Sequence, residues 1–235
     1  MTKGRGAGDE KSARMGRLLA RPSVAAGDAP AGRHAIPVGG ARDALLYVPA
    51  GYRRDAPAPI AVMLHGAGGA AEHGLSLLRR FADEANLIVV APQSISSTWD
   101  AIRGGFGADV MALDRLLAQV FGRCSVDKKR VAVGGFSDGA SYALGLGVSN
   151  GELFTHVLAF SPGFVAGGRG LEGSRPRLFI SHGTRDRVLP IEYCSRPIVE
   201  RAREAGYVVR YREFDGPHTV PEEIAREAVG WFVKK

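Results

Sequence analysis

One serine of the chain lies in a setting that is typical of nucleophilic catalysis. Residues 135–139 read Gly-Phe-Ser-Asp-Gly, a G-x-S-x-G motif that follows a predicted strand at 130–133 and precedes a predicted helix. In this strand–turn–helix context the serine takes a strained backbone conformation that lifts its hydroxyl above the sheet. The flanking glycines leave room where strand and helix approach each other. The motif predicts Ser137 as a nucleophile, with an ordinary serine in a glycine-rich turn as the alternative.

A serine hydroxyl needs a base, and the base needs a group that orients it. His218 follows the last predicted strand, and Asp186 follows the strand before it. The chain order Ser, Asp, His and the position of both residues at carboxyl ends of strands suit a triad. Asp215 is a rival for Asp186, but three residues along a turn is a poor place from which to support an imidazole. The remaining histidines are interpreted as structural or surface residues: His34, His65, His73, His156 and His182.

A glycine-rich loop is predicted to stabilise negative charge on an attacked carbonyl. Residues 62–69 read Val-Met-Leu-His-Gly-Ala-Gly-Gly, so that a central strand ends in an HG-x-GG loop. Backbone N–H groups of such a loop can form an oxyanion hole, and we expect the donors to be the amides of Ala67 and Asp138. Nucleotide binding is the alternative. It is disfavoured because the loop lacks the Lys-Ser/Thr of a P-loop and no G-x-G-x-x-G opens a helix.

The elements that must position these residues follow an α/β pattern. Two short strands around Gly39-Gly40, at 34–38 and 43–48, predict an antiparallel hairpin. Continuous apolar runs then alternate with amphipathic helices, which is typical of a parallel sheet covered on both faces. We therefore predict a three-layer α/β sandwich with a mostly parallel sheet of about eight strands. Residues 164–176 are predicted to be a loop, and no large lid is expected.

Composition restricts the classes of function. The 235 residues carry a formal charge of +7, of which residues 1–21 contribute +4. Residues 1–15 are predicted to be a flexible basic tail, with Met15 as a second candidate start, and residues 16–235 to be one domain. No basic stripe with interleaved aromatic residues indicates nucleic-acid binding. No run of apolar residues is long enough to span a membrane.

The cysteines and the amino terminus bear on cellular location. Cys124 and Cys194 are about 70 residues apart, and no metal-ligand spacing accompanies them. The chain has no predicted signal peptide, so we expect reduced thiols, a cytoplasmic location and no metal. The sequence leaves open whether the chain forms a homodimer.

Several short motifs together resemble the phospholipase/carboxylesterase branch of the α/β hydrolases. The chain is also similar to polyhydroxyalkanoate-depolymerase-like and feruloyl-esterase-like proteins. The resemblance extends from about residue 44 to residue 235. It rests on the motifs at 46–49, 64–66, 91–93, 98–100, 135–139, 182–190 and 216–218. It implies the α/β-hydrolase fold and the hydrolysis of small-molecule esters or thioesters without a cofactor. Secreted depolymerases and feruloyl esterases carry signal peptides, which disfavours an extracellular polymer as the substrate.

The substrate and some functional alternatives stay open at this point. Trp99, Phe106 and Phe164 are predicted to lie in loops near the site, where they either line an acyl pocket or pack as ordinary core residues. A peptidase could use the same triad, although related peptidases usually carry an extra domain. A non-enzymatic binding protein on the same fold would normally have lost a member of the triad, and here all three residues are present.

Overall fold

The centre of the protein is one eight-stranded sheet. The computed structural model describes residues 6–23, 27, 29–39, 42–167, 171 and 175–234. In these ranges the strands are ordered β1-β2-β4-β3-β5-β6-β7-β8 across the sheet. Their bounds are β1 Gly32–Ile36, β2 Ala44–Val48, β3 Ala58–Leu64, β4 Ile88–Ala91, β5 Val126–Phe136, β6 His156–Phe160, β7 Arg177–Gly183 and β8 Val209–Phe214.

Strand directions confirm the mostly parallel sheet and its amino-terminal hairpin. Strands β1 and β2 pair antiparallel, and β2 also pairs antiparallel with β4. Every other neighbouring pair is parallel. Because consecutive parallel strands are joined by crossovers, the loops that follow β3, β5, β7 and β8 all leave from the same edge of the sheet. Residue 40 of the predicted hairpin turn lies outside the described residues.

Helices cover both faces of the sheet, which gives the predicted three layers. One hydrophobic cluster contains side chains of α1, α3, α4, α5 and α6, and a second contains those of α2 and α7. Alternate residues of β3 belong to different clusters, because successive side chains of a strand point to opposite faces. The helix bounds are α1 Gly6–Arg14, α2 Ala71–Ser76, α3 Asp100–Arg103, α4 Ala108–Arg123, α5 Asp138–Ser149, α6 Ser195–Glu204 and α7 Glu222–Val233.

The amino-terminal segment differs from the prediction of a flexible tail over residues 1–15. Gly6–Arg14 forms α1, and residues 1–5 lie outside the described residues. The chain after this helix is held by buried hydrogen bonds: the Asn150 side chain accepts the Leu18 N–H at 2.8 Å and donates to the Gly16 carbonyl at 2.6 Å. Leu18 is fully buried. Composition misses this arrangement because the anchoring residue lies 132 positions from Leu18 in the chain.

Two further features of the fold bear on the composition analysis. Cys124 and Cys194 are both buried, and no disulfide links them in the described part of the chain. None of the helices in the described ranges is both long and apolar enough to cross a membrane.

Candidate active site

The turn between β5 and α5 holds Ser137 in a strained conformation. Its φ is 57° and its ψ is −120°, a region that residues with a side chain rarely occupy. The turn is tight enough to require its flanking glycines, since a Cβ on Gly135 would lie 2.6 Å from the Gly139 carbonyl carbon. A Cβ on Gly139 would lie 2.4 Å from the Leu64 carbonyl oxygen. These contacts are the geometry that the G-x-S-x-G motif predicts.

The imidazole of His218 lies within hydrogen-bond distance of the serine. His218 Nε2 and Ser137 Oγ are 2.9 Å apart, although the residues are 81 positions apart in the chain. The Phe136 ring packs against the imidazole, with the ring centroids 4.5 Å apart. The His218 side chain is 15% exposed, so that it contacts both the protein and the open space above the sheet. This arrangement allows a proton to pass between hydroxyl and imidazole.

Asp186 orients the imidazole from its other side. His218 Nδ1 lies 2.5 Å from Asp186 Oδ2, and the carboxylate is fully buried. The N–H groups of Val188 and Leu189 each donate to Asp186 Oδ1 at 2.9 Å. Burial, the largest influence, would raise the pKa of Asp186, but the bonds from Leu189, His218 and Val188 together outweigh it and lower this pKa. The carboxylate is therefore held ionised, with one oxygen directed at His218.

Close contact between two loops brings Asp186 and His218 together. Strands β7 and β8 are parallel neighbours, with Gly183 opposite Phe214. A Cβ on Gly183 would lie 2.3 Å from the Gly216 carbonyl oxygen, so this approach requires glycine. The predicted rival Asp215 instead points outward, where its carboxylate pairs with Arg185 at 2.7 Å.

A second histidine contacts the same carboxylate. His182 is fully buried, and its Nε2 lies 2.8 Å from the Leu189 carbonyl oxygen and 3.2 Å from Asp186 Oδ2. Burial, the largest influence, lowers the pKa of His182 and keeps its imidazole neutral. Sequence reasoning interprets His182 as a structural histidine and misses this contact. The available signal was its position four residues before Asp186, at the start of a turn.

The loop after β3 packs against the nucleophile. A Cβ on Gly66 would lie 3.4 Å from the Ser137 Cβ. The N–H groups of Gly68 and Gly69 are bonded to the carbonyls of Ser97 and Gly66. Within the described part of the chain, no hydrogen bond uses the N–H of Ala67, which lines the open space beside Ser137. Asp138 follows the serine directly and opens α5, so its N–H is one of the amides that a helix start leaves free.

A groove of about 430 Å³ opens above these residues. His218 and the loop that follows β3 form part of its wall. Its wall also includes three apolar side chains: Leu77, Phe136 and Val220.

Comparison with solved structures identifies the architecture. Fluorophosphonate-binding serine hydrolase F (FphF) of Staphylococcus aureus, solved with substrate bound, matches with a TM-score of 0.69 at 15% identity over 88% of this chain and 100% of that chain. The S-formylglutathione hydrolase FrmB of S. aureus matches with a TM-score of 0.67 at 16% identity, over 86% and 97% of the two chains. The chain has the α/β-hydrolase fold.

A third solved structure shows the same architecture. The CE1 ferulic acid esterase AmCE1/Fae1A of Anaeromyces mucronatus, in complex with ferulic acid, matches with a TM-score of 0.59 at 18% identity over 86% of this chain and 89% of that chain. No family model matches the chain. At these identities the likeness establishes the α/β-hydrolase fold.

Two of the three predicted substrate-binding residues belong to the hydrophobic core. Trp99 is fully buried, and its indole N–H donates to the His65 carbonyl at 2.9 Å. Its ring also packs on the His65 ring, so it supports the oxyanion loop from behind. Phe106 is buried edge-on against Tyr142. The predicted pocket role is wrong for both, because a loop position in the sequence does not reveal which way an aromatic ring points.

The third predicted residue, Phe164, is 43% exposed and lines a separate cavity of about 280 Å³. Its neighbours there include Leu171, Ile198 and Arg201. Of the groove residues, sequence reasoning misses Leu77, Phe136 and Val220. The G-x-S-x-G motif indicates Phe136, because it is the variable residue before the serine. No local sequence pattern indicates Leu77 or Val220.

Proposed function

We propose that this protein is a serine carboxylesterase that hydrolyses carboxylic esters or thioesters of small to medium acyl groups. The observation that carries the proposal is the continuous relay from Asp186 through His218 to Ser137, with steps of 2.5 Å and 2.9 Å. A strained serine beside an imidazole acceptor, itself held by a buried carboxylate, is the arrangement that activates a hydroxyl for attack.

In the first step the Ser137 hydroxyl attacks the ester carbonyl while His218 Nε2 takes its proton. Asp186 stabilises the imidazolium that forms, since its carboxylate accepts the Nδ1–H. The N–H groups of Ala67 and Asp138 are proposed to stabilise the negative charge that develops on the carbonyl oxygen. The imidazolium then returns its proton to the departing alcohol or thiol, which leaves an acyl-enzyme on Ser137.

In the second step His218 takes a proton from water, which attacks the acyl-enzyme and releases the acid. Every proton in this scheme moves between Ser137, His218, the substrate and water, so the scheme requires no cofactor. The apolar wall of the groove formed by Leu77, Phe136 and Val220 would hold the acyl chain. A cytoplasmic location and a small-molecule substrate are part of the same proposal, in keeping with two buried cysteines in the reduced form.

The test is a comparison of the wild-type protein with Ser137→Ala. Wild-type protein should hydrolyse p-nitrophenyl acetate and react covalently with a fluorophosphonate probe. The variant should lose on the order of 10⁶ in turnover, as other triad enzymes do, and should not be labelled. The variant keeps the strained turn with a smaller side chain, so thermal unfolding should be close to that of the wild type.

Three outcomes would contradict the proposal. Equal hydrolysis by the variant and the wild type would remove Ser137 from the mechanism. Absence of labelling and of hydrolysis in the wild-type protein would favour a binding protein on the same fold. Faster cleavage of a peptide panel than of aryl esters with acyl chains of increasing length would favour a peptidase.

A further inference from the structure

A second cavity also contacts the side chain of His218. It has a volume of about 430 Å³ and is lined by Arg185, Arg187, Val188, Pro217 and His218. His218 also lines the groove described above, so the two cavities meet at this side chain. A substrate whose scissile carbonyl reaches Ser137 can therefore place one part in the apolar groove and another part in the second cavity.

The second cavity carries more positive than negative charge. Arg187 is exposed and has no ion pair or hydrogen bond within the described part of the chain. Arg185 pairs with Asp215 at 2.7 Å, but both side chains are largely exposed, at 68% and 81%. By contrast, Arg196 on the neighbouring helix α6 is neutralised by both Glu192 and Glu213. The guanidinium of Arg187 is thus directed to solvent at the mouth of the site.

The fold places these two arginines on either side of the catalytic carboxylate. Asp186 points inward to His218 and the amides of Val188 and Leu189, whereas its two neighbours point outward. Because both Asp186 oxygens are occupied by donors inside the protein, they do not form an ion pair with Arg187. The guanidinium fork can therefore bind the oxygens of a ligand, for which its planar geometry suits a carboxylate or a phosphate.

We propose that the second cavity binds an acidic group of the substrate, so that the preferred esters or thioesters carry a carboxylate or a phosphate beyond the scissile bond. This proposal rests on the proposed esterase function and specifies its substrate class. Arg187 is its main determinant, and Arg185 adds a second, partly neutralised charge. The acidic group belongs either to the acyl part or to the departing alcohol, and the two sources are separate arms of the test.

The test measures kcat/KM for two matched pairs of esters. On the acyl side, p-nitrophenyl hemisuccinate is compared with its methyl ester, and on the alcohol side p-acetoxybenzoate is compared with its methyl ester. For each pair, the anionic-to-neutral quotient is kcat/KM of the anionic ester divided by kcat/KM of the neutral ester. The quotient of a variant is then divided by the quotient of the wild type, so that differences in the intrinsic reactivity of the two esters cancel. In Arg187→Gln the quotient of at least one pair should fall about fivefold, the size of a favourable exposed ion pair. Arg187→Lys should retain most of the wild-type quotient, and added salt should lower the quotient of the wild-type protein.

Arg123→Gln is the matched control. Arg123 is exposed in the last turn of α4, just before β5 begins, and so lies at the edge of the sheet opposite the triad. Its loss removes one positive charge without touching the second cavity, and both quotients should stay at the wild-type value. Unchanged quotients in Arg187→Gln, or an equal fall in Arg123→Gln, would refute the acidic-group site while leaving the esterase proposal intact. Failure of the wild-type protein to hydrolyse any of the four esters would refute both proposals.

Discussion

Replacing Asp186 by asparagine should abolish most of the esterase activity without unfolding the protein. The two side chains are nearly isosteric, so the difference lies in their hydrogen bonds. Asp186 Oδ1 accepts two backbone N–H groups, from Val188 and Leu189. An asparagine must keep its carbonyl oxygen at this position, since an NH₂ group there would face two donors.

The amide nitrogen of the introduced asparagine would then occupy the place of Asp186 Oδ2, which lies 2.5 Å from His218 Nδ1. An NH₂ group donates there, so the imidazole would have to accept at Nδ1 and carry its proton on Nε2. In that tautomer Nε2 faces the Ser137 hydroxyl as a donor and cannot take its proton. The imidazolium would also lose its buried counter-charge. By analogy with the same exchange in another triad enzyme, kcat should fall by about 10⁴, or roughly 5 kcal/mol in the activation free energy.

The assay is steady-state hydrolysis of p-nitrophenyl acetate at neutral pH, together with thermal unfolding of each variant. Asp215→Asn is the matched control, because Asp215 lies three residues before His218 but its carboxylate pairs with Arg185 at the surface. This control should keep at least half of the wild-type activity. If Asp186→Asn retained more than about a tenth of the wild-type kcat with normal folding, or if Asp215→Asn lost as much, the assignment of the orienting carboxylate would be wrong.

Two further predictions concern stability. Burial, the largest influence, raises the pKa of Asp109 to about 6, so the folded state holds a proton that the unfolded state releases between about pH 4 and 6. Relative to Asp109→Asn, the wild-type protein should therefore gain about 2 kcal/mol of unfolding free energy as the pH is lowered from 7 to 4, and denaturant titrations giving equal pH dependence would contradict this. Asn150→Ala should cost about 2–3 kcal/mol, because it leaves the buried Leu18 N–H and Gly16 carbonyl without their partner. A loss below about 0.5 kcal/mol in the same titrations would show that the amino-terminal segment is not anchored there.

Local patterns in the sequence were sufficient for the fold and for naming the three residues that the structure brings together as a candidate triad. The apolar runs predicted the eight strands, and the G-x-S-x-G motif predicted a tight turn at Ser137 whose glycines are required by contacts under 3 Å. Asp186 and His218 followed from their positions after successive strands. Such signals are local, because backbone conformation and strand burial depend mainly on neighbouring residues. The order of parallel strands then dictates which loops share an edge.

The sequence alone could not reveal side-chain direction or contacts between distant segments. It could not decide whether Trp99 and Phe106 line a substrate pocket or pack in the core, and both rings are buried against other core side chains. It treated residues 1–15 as a flexible tail, whereas Gly6–Arg14 is helical and the chain after it is held by Asn150.

The outward Arg187 beside the inward Asp186 also became visible only in three dimensions. Neighbours in a turn can point in opposite directions, and the partners that decide their directions lie on other strands. The chain pattern therefore determined where the candidate catalytic residues lie along the sheet, and tertiary packing decided which way each side chain faces and which cavities open beside it.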